Sequence, residues 1–255
     1  MPIKFSVLSL FPDQVLEALR FSMTRRAMEK GLIDLKTIDI RDFAINEYGQ
    51  VDDAPYGGGR GMVMMCEPVY QAWNHAKSGS DGAGKAVRTI FLTPAGRVFD
   101  QALAHSLAKE QHVIFICGHY EGIDRRVIEE IQAEEVSIGD FILTGGELAA
   151  AVMIDAISRL LPGVLPDQEA WELESFSDGL LEWPQYTRPS LWRGHEVPPV
   201  LLSGHEARIA RERQLMQVLE TLKKKPSLLL DRRLDSTIWE LLAEAMQREE
   251  KGDQS

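Results

Sequence analysis

Three glycine-bearing stretches hold the residue types in this chain most able to do chemistry. They are Thr93-Pro94-Ala95-Gly96, Cys117-Gly118-His119-Tyr120-Glu121-Gly122-Ile123-Asp124, and Ile138-Gly139-Asp140-Phe141-Ile142-Leu143-Thr144-Gly145-Gly146-Glu147. Each follows an apolar run that reads as a strand, and open α/β sheets hold their ligands at strand carboxyl ends. Glycine lets backbone amides come close to a ligand, carboxylates suit ribose hydroxyls, and cations are few. The set fits a flat heterocycle and its ribose, and fits a triphosphate poorly. Ordinary turn chemistry accounts for any one of the three loops; the three in register favour a site. His119 is of a residue type that serves acid–base chemistry. No spacing in the sequence pairs it with a carboxylate, so a loop or polar-rim position is the better reading. The methionines, Met62, Met64 and Met65 among them, read as core filler.

Two further glycine runs invite a ligand-binding reading. Tyr56-Gly57-Gly58-Gly59-Arg60-Gly61-Met62 is dense enough for a ligand cradle, but a tight loop explains it as well. Gly79-Ser80-Asp81-Gly82-Ala83-Gly84-Lys85 has the spacing of a phosphate-binding loop. Ala86 stands where the magnesium-binding hydroxyl belongs, and the run precedes a strand instead of following one, so a surface loop is favoured. No GxGxxG run follows a strand. Cys66 and Cys117, the only two cysteines, lack metal-ligand spacing and imply a reducing compartment without a disulfide framework. No metal ligand set is assigned.

Strand patterns at Ile3–Leu10, Ile33–Ile40, Val87–Thr93, His112–Cys117 and Glu135–Ile138 alternate with helical patterns that must position these loops. The helices are expected at Pro12–Lys30, Glu67–Lys77, Asp100–Lys109, Ile123–Gln132 and Glu147–Leu161. This alternation predicts an α/β domain over 1–161, a mainly parallel sheet with helices on both faces. Residues 162–185 hold prolines, glycines and six carboxylates without a period, and read as an interdomain loop. Beyond it, helices at Leu201–Leu222, capped by Ser203, and Ser236–Glu250, capped by Asp235 or Ser236, predict a small all-α domain over 186–255; the tail 251–255 is expected to fray.

The chain has 255 residues, 44% hydrophobic, enough for a substantial core. It lacks an 18-residue apolar run and a signal-like amino terminus, so a soluble cytoplasmic protein without a membrane association is expected. Its formal charge is −11, yet residues 186–233 hold ten Lys/Arg against five Asp/Glu, a local +5 that leaves −16 elsewhere. A basic span in an acidic protein is a candidate polyanion footprint; a solvated helical face explains it equally well.

The three loops, together with Pro55-Tyr56-Gly57-Gly58-Gly59, Pro162-Gly163-Val164-Leu165, Tyr186-Thr187-Arg188-Pro189 and Val197-Pro198-Pro199-Val200-Leu201-Leu202-Ser203-Gly204, occur in one order. The chain thereby closely resembles the bacterial tRNA (guanine-N1)-methyltransferases, the TrmD family of the SPOUT class, from about residue 3 to residue 245. The resemblance implies methyl transfer from S-adenosylmethionine to N1 of guanosine 37, just 3′ of the anticodon. It also implies a homodimer, assistance by Mg²⁺, and a trefoil knot that strand periodicity alone does not suggest. By the same carry-over, Pro94, Gly118, Glu121, Ile138, Gly139, Asp140, Phe141, Ile142, Leu143, Gly145 and Gly146 hold the cofactor. Arg159 matches the arginine that stabilises charge on the guanine. Glu174, before Ser175-Phe176, occupies the place of the family's aspartate base. Pro166-Asp167-Gln168 and Arg60 also depart from the family pattern. Asp167, Glu169 and Glu172 are alternative bases, and a catalytically impaired tRNA-binding protein is the alternative function.

Overall fold

The structure, a computed structural model, describes residues 2–78, 87–165, 174–230, 239–244 and 246–247. The chain divides into two compact units, residues 1–168 and 169–255. The Gly79–Lys85 run, the alternative bases Asp167, Glu169 and Glu172, the cap at Asp235 or Ser236 and the tail 251–255 lie outside the described residues.

The first unit is built on a parallel sheet of β1 (Ile3–Ser9), β2 (Ile33–Asp39), β5 (Val87–Val98), β6 (His112–Cys117) and β7 (Glu134–Ser137), in the order β2-β1-β6-β5-β7. Strands covered on both faces are apolar at nearly every position, and all six residues of β6 are buried. Alternate side chains serve the two faces. Leu8, Ile114 and Ile116 share a core with Val69 and Ala72 of α3 (Cys66–Ser78) and Val127 of α5 (Arg125–Glu130). Phe5 and Phe115, of opposite parity, meet at 6.1 Å between ring centroids. α6 (Glu147–Ser158) packs on β1 and β6, with α1 (Pro12–Leu19), α2 (Ser22–Glu29) and α4 (Gln101–Leu107) against it.

The sheet matches the expected α/β architecture, with three local corrections. The single helix expected over Pro12–Lys30 is two, because Ser22 adopts a left-handed φ of 53° and Thr24 Oγ1 donates to the carbonyl of Leu19, closing α1. Thr93-Pro94-Ala95-Gly96 is not a loop beyond a finished strand. Leu92 and Arg97 both pair with Val136, so these four residues bulge within β5, with Gly96 so close to β7 that a Cβ would lie 2.3 Å from the Val136 nitrogen. The glycine run at 57–61 is the turn of a short hairpin, β3 (Asp52–Asp53) and β4 (Val63–Met64), that carries no readable period.

The second unit packs Leu180 with Leu215 and Val218 of α7 (Glu206–Lys224), Leu229 of α8 (Ser227–Leu230), Leu241 and Leu242. Acidic Glu206 opens α7 and Lys223 and Lys224 close it, each favoured by the helix dipole. The expected start at Leu201 is a 3-10 turn, Pro199–Leu202, and Ser203 Oγ accepts from His205 N just before α7 instead of capping a helix at 201. The expectation of an all-α unit also needs correction. β8 (Leu191–Trp192) and β9 (His195–Glu196) form a hairpin whose turn residues Arg193 and Gly194 both have positive φ, the geometry of a two-residue turn that follows sheet twist.

Candidate active site

A cavity of about 340 Å³ opens at the carboxyl ends of β5, β6 and β7. Its walls are the β5 bulge and the loops that follow β6 and β7. Pro94, Gly118, Glu121, Ile138, Gly139, Phe141, Ile142, Leu143, Gly145 and Gly146 all line it. Asp140 does not; it is exposed on the same loop. Among the described residues no lysine or arginine lines the cavity, and His119 and Glu121 are its titratable groups apart from Tyr120.

Local bonding shapes each wall. Ser137 Oγ accepts from Gly139 N at 3.1 Å and donates to Gly139 O at 3.0 Å, folding the loop back directly after β7. Gly139 lies at φ 143°, and a Cβ there would stand 2.7 Å from the Phe141 ring. After β6, Gly122 N donates to His119 O, and Glu121 N donates to Met62 O, which fastens the loop to the end of the β3–β4 hairpin. The two loops meet where Gly146 N donates to Gly118 O at 3.2 Å. A Cβ on Gly146 would lie 2.8 Å from the Cys117 Cα, so glycine is what lets α6 start this close to β6.

The largest addition to the expected site is Glu147. It is 1% exposed, begins a largely apolar helix, and accepts from Ser9 Oγ at the end of β1 and from His119 Nε2 at 2.9 Å. Ser9 Oγ accepts from Phe11 N, and the Phe11 ring lies 4.8 Å from the His119 ring. His119 therefore does have a carboxylate partner, 28 residues on. The signal that could have revealed it is a carboxylate at the head of a buried helix, where its charge also meets the positive end of the dipole. Burial, and then the Glu147 charge, pushes the Cys117 thiol well above its ordinary value, which makes it inert. At the edge of the same loop, the Arg126 guanidinium holds the Asp124 carboxyl well below the usual range while Asp124 caps α5.

Arg159 and Glu174 do not line this cavity. Arg159 is the C-cap of α6, and the twelve residues of that helix lie between it and Gly146, a rise of about 20 Å. Glu174 belongs to the second unit, where its carbonyl accepts from Ser177 N. The segment after it is held by Phe176 N to Leu180 O, Glu182 N to Ser175 Oγ, and Leu181 N to Thr221 Oγ1 on α7. Among the described residues no group of three or more His, Cys, Asp or Glu side chains could hold a metal ion, and no helix is long and apolar enough to cross a membrane.

The sequence model of the family described as tRNA (Guanine-1)-methyltransferase TrmD matches residues 3–231. Relatives named tRNA (guanine-N(1)-)-methyltransferase include one from Geobacter metallireducens, 52% identical over 234 residues, covering 92% of this chain and 94% of its own length. Another, from Geotalea uraniireducens, is 50% identical over 242 residues, with 95% and 96% covered. A third, from Lachnoclostridium phytofermentans, is 46% identical over 250 residues, with 89% and 91% covered. The names are those of enzymes, and the non-catalytic alternative finds no support in them. With its glycine-walled cavity at the head of a parallel sheet and matches that run nearly end to end, this chain belongs to the TrmD family of tRNA (guanine-1)-methyltransferases.

Proposed function

We propose that the protein transfers the methyl group of S-adenosylmethionine to N1 of guanosine 37 in tRNA. The observation that carries this reading is the glycine-walled cavity, without a lysine or arginine among the described residues of its lining, in a chain of this family. It fits the cofactor on its own terms. Gly118 and Gly146 leave backbone exposed where a side chain would intrude, Phe141 and Leu143 offer apolar surface to an adenine, and Glu121 offers a carboxylate to a cationic or hydroxylated group. S-adenosylmethionine, when bound, supplies an electrophilic methyl on a sulfonium that leaves as a neutral thioether.

Neutral guanine carries a proton on N1, so its ring nitrogen attacks only as that proton departs. The Glu174 carboxylate takes the proton, the N1–carbon bond forms as the carbon–sulfur bond breaks, and negative charge grows toward O6. The Arg159 guanidinium stabilises that charge. A base of this kind contributes about 10² to 10⁴ in rate. Glu174→Gln should therefore lose methyl transfer from labelled cofactor to unmodified tRNA by that factor while binding both substrates, and Glu174→Asp should keep it. Near-normal turnover by the Gln variant would remove Glu174 from the mechanism.

The same reading assigns residues 1–161 to the knotted cofactor domain, 162–185 to the interdomain loop and 186–255 to tRNA binding, in a cytoplasmic homodimer. The position of Arg159 supports the dimer, since α6 holds it about a helix length from the cavity of its own chain. A second copy can bring Arg159 and Glu174 to that cavity. Subunits inactivated at Glu121, mixed with subunits inactivated at Glu174, should recover activity; mixtures that form heterodimers and stay inactive would place the whole site in one chain.

A further inference from the structure

The second unit holds a recess of about 400 Å³ of its own, between residues 183–190, the 3-10 turn at Pro199–Leu202 and the start of α7. Its chemistry is the reverse of the cofactor cavity's. Arg188 and Arg213 line it, and among the described residues no carboxylate does and no ion pair engages either guanidinium. The Arg213 guanidinium lies 5.1 Å from the Trp183 ring centroid, an arginine–indole stack already formed. Tyr186, 47% exposed, adds a second aromatic ring to the wall, and Gln185 and Thr187 add groups that both donate and accept hydrogen bonds.

Aromatic faces with guanidinium groups beside them are what unstacked nucleotides of single-stranded RNA bind, the ring taking the base and the arginine the phosphate. An acidic small molecule would use the arginines but leave the two aromatic rings and the amide without a role. The recess also lies at the start of the +5 span in an otherwise acidic chain. We infer that this recess is a nucleotide subsite, which takes one unpaired nucleotide of the tRNA, its base on Trp183 or Tyr186 and its phosphate on Arg188 and Arg213. The inference rests on the tRNA reading above and adds to it a specific place where an unpaired base is held, separate from the guanosine that is methylated.

The test uses the full-length protein and unmodified tRNA carrying 4-thiouridine at single loop positions. Irradiation should give an adduct that digestion and mass spectrometry place within residues 183–188, for one loop position and not its neighbours. Trp183→Leu and Tyr186→Leu should raise the tRNA dissociation constant by about 5- to 100-fold, and Trp183→Tyr should restore much of the loss. Arg188→Gln and Arg213→Gln should each lower the salt slope of tRNA binding by about 0.7 to 0.9. Cofactor binding by calorimetry should stay unchanged in all of them, which also reports that each variant is folded. Should Trp183→Leu fail to fold, the crosslink on wild-type protein and the exposed Arg188→Gln variant still decide. Adducts confined to other peptides, with tRNA affinity and salt slope unmoved by either arginine variant, would overturn the subsite. In that event wild-type protein that still methylates tRNA leaves the function standing, whereas wild-type protein that methylates no tRNA removes the function itself.

Discussion

A carboxylate at 1% exposure, as at Glu147, persists only where its oxygens are hydrogen-bonded, and here Ser9 and His119 supply the donors. The three residues come from the end of β1, the loop after β6 and the first turn of α6, so one side chain ties β1 and α6 to one wall of the proposed cofactor cavity. Removing it as Glu147→Ala leaves the Ser9 hydroxyl and the His119 ring without their partner, at a cost of about 1–3 kcal/mol. In a chain of this size that lowers Tm by on the order of 5 °C. Because His119 lines the cavity, the same variant should raise the Michaelis constant for the cofactor more than it lowers kcat. Glu147→Gln, which keeps an acceptor, should lose less on both measures. A Tm and cofactor affinity unchanged in Glu147→Ala would show that the network holds nothing in place. Glu147 also marks where reading the sequence stops. The cavity lining was legible because glycine loops after strands have one place to be, but Ser9 lies 138 residues from Glu147, and only the folded sheet brings them together.

Among the elements, β6 carries a buried group that makes stability depend on pH. His112 opens it, is buried, shares a hydrogen bond of 2.9 Å with Ser6 on β1, and pairs in register with Lys4. Burial first, and then the charges of Lys4 and Lys36 against the opposing Asp34, lower its pKa from 6.5 to about 4. The unfolded chain therefore binds a proton between pH 6.5 and 4 that the fold rejects. The contribution of neutral His112 is complete above 6.5 and is lost as pH falls toward 4, on the order of 2 kcal/mol. Denaturant midpoints measured from pH 7 to pH 4 should fall over that window, and should fall less in His112→Gln; parallel curves for the two proteins would refute this. β1, β2, β6 and β7 were readable to within a residue at each end, because strand-like apolar runs stand out, whereas β5 runs five residues past its expected end at Thr93. The rest was hidden for physical reasons. Two-residue strands such as β3 and β8 have no period, the break between α1 and α2 turns on one left-handed serine, and the bulge at Thr93–Gly96 is defined by its partner strand and not by its own residues.

For the whole molecule, the division of charge separates two binding events that a single assay can tell apart. The span 186–233 carries +5 and the remainder −16. A lysine or arginine that contacts a phosphate releases condensed counterions, so log K for tRNA should fall with log salt by roughly 0.7 to 0.9 for each contact made. Three or four such contacts, well within the ten cations of the span, would weaken tRNA binding about 30-fold or more between 50 and 200 mM salt. The proposed cofactor cavity has no lysine or arginine in its lining among the described residues, so binding there should release few ions, and its affinity should change less than about twofold over the same range. The Michaelis constant for tRNA should then climb steeply with salt while that for S-adenosylmethionine stays nearly level. Charge-reversing substitutions on exposed Arg208 and Arg211 of α7 should flatten the tRNA slope without touching the cofactor's. If both constants rise together, salt is acting on the fold and not on the interface; if the tRNA slope is flat, the basic span is a solvated face and RNA is held elsewhere on the molecule.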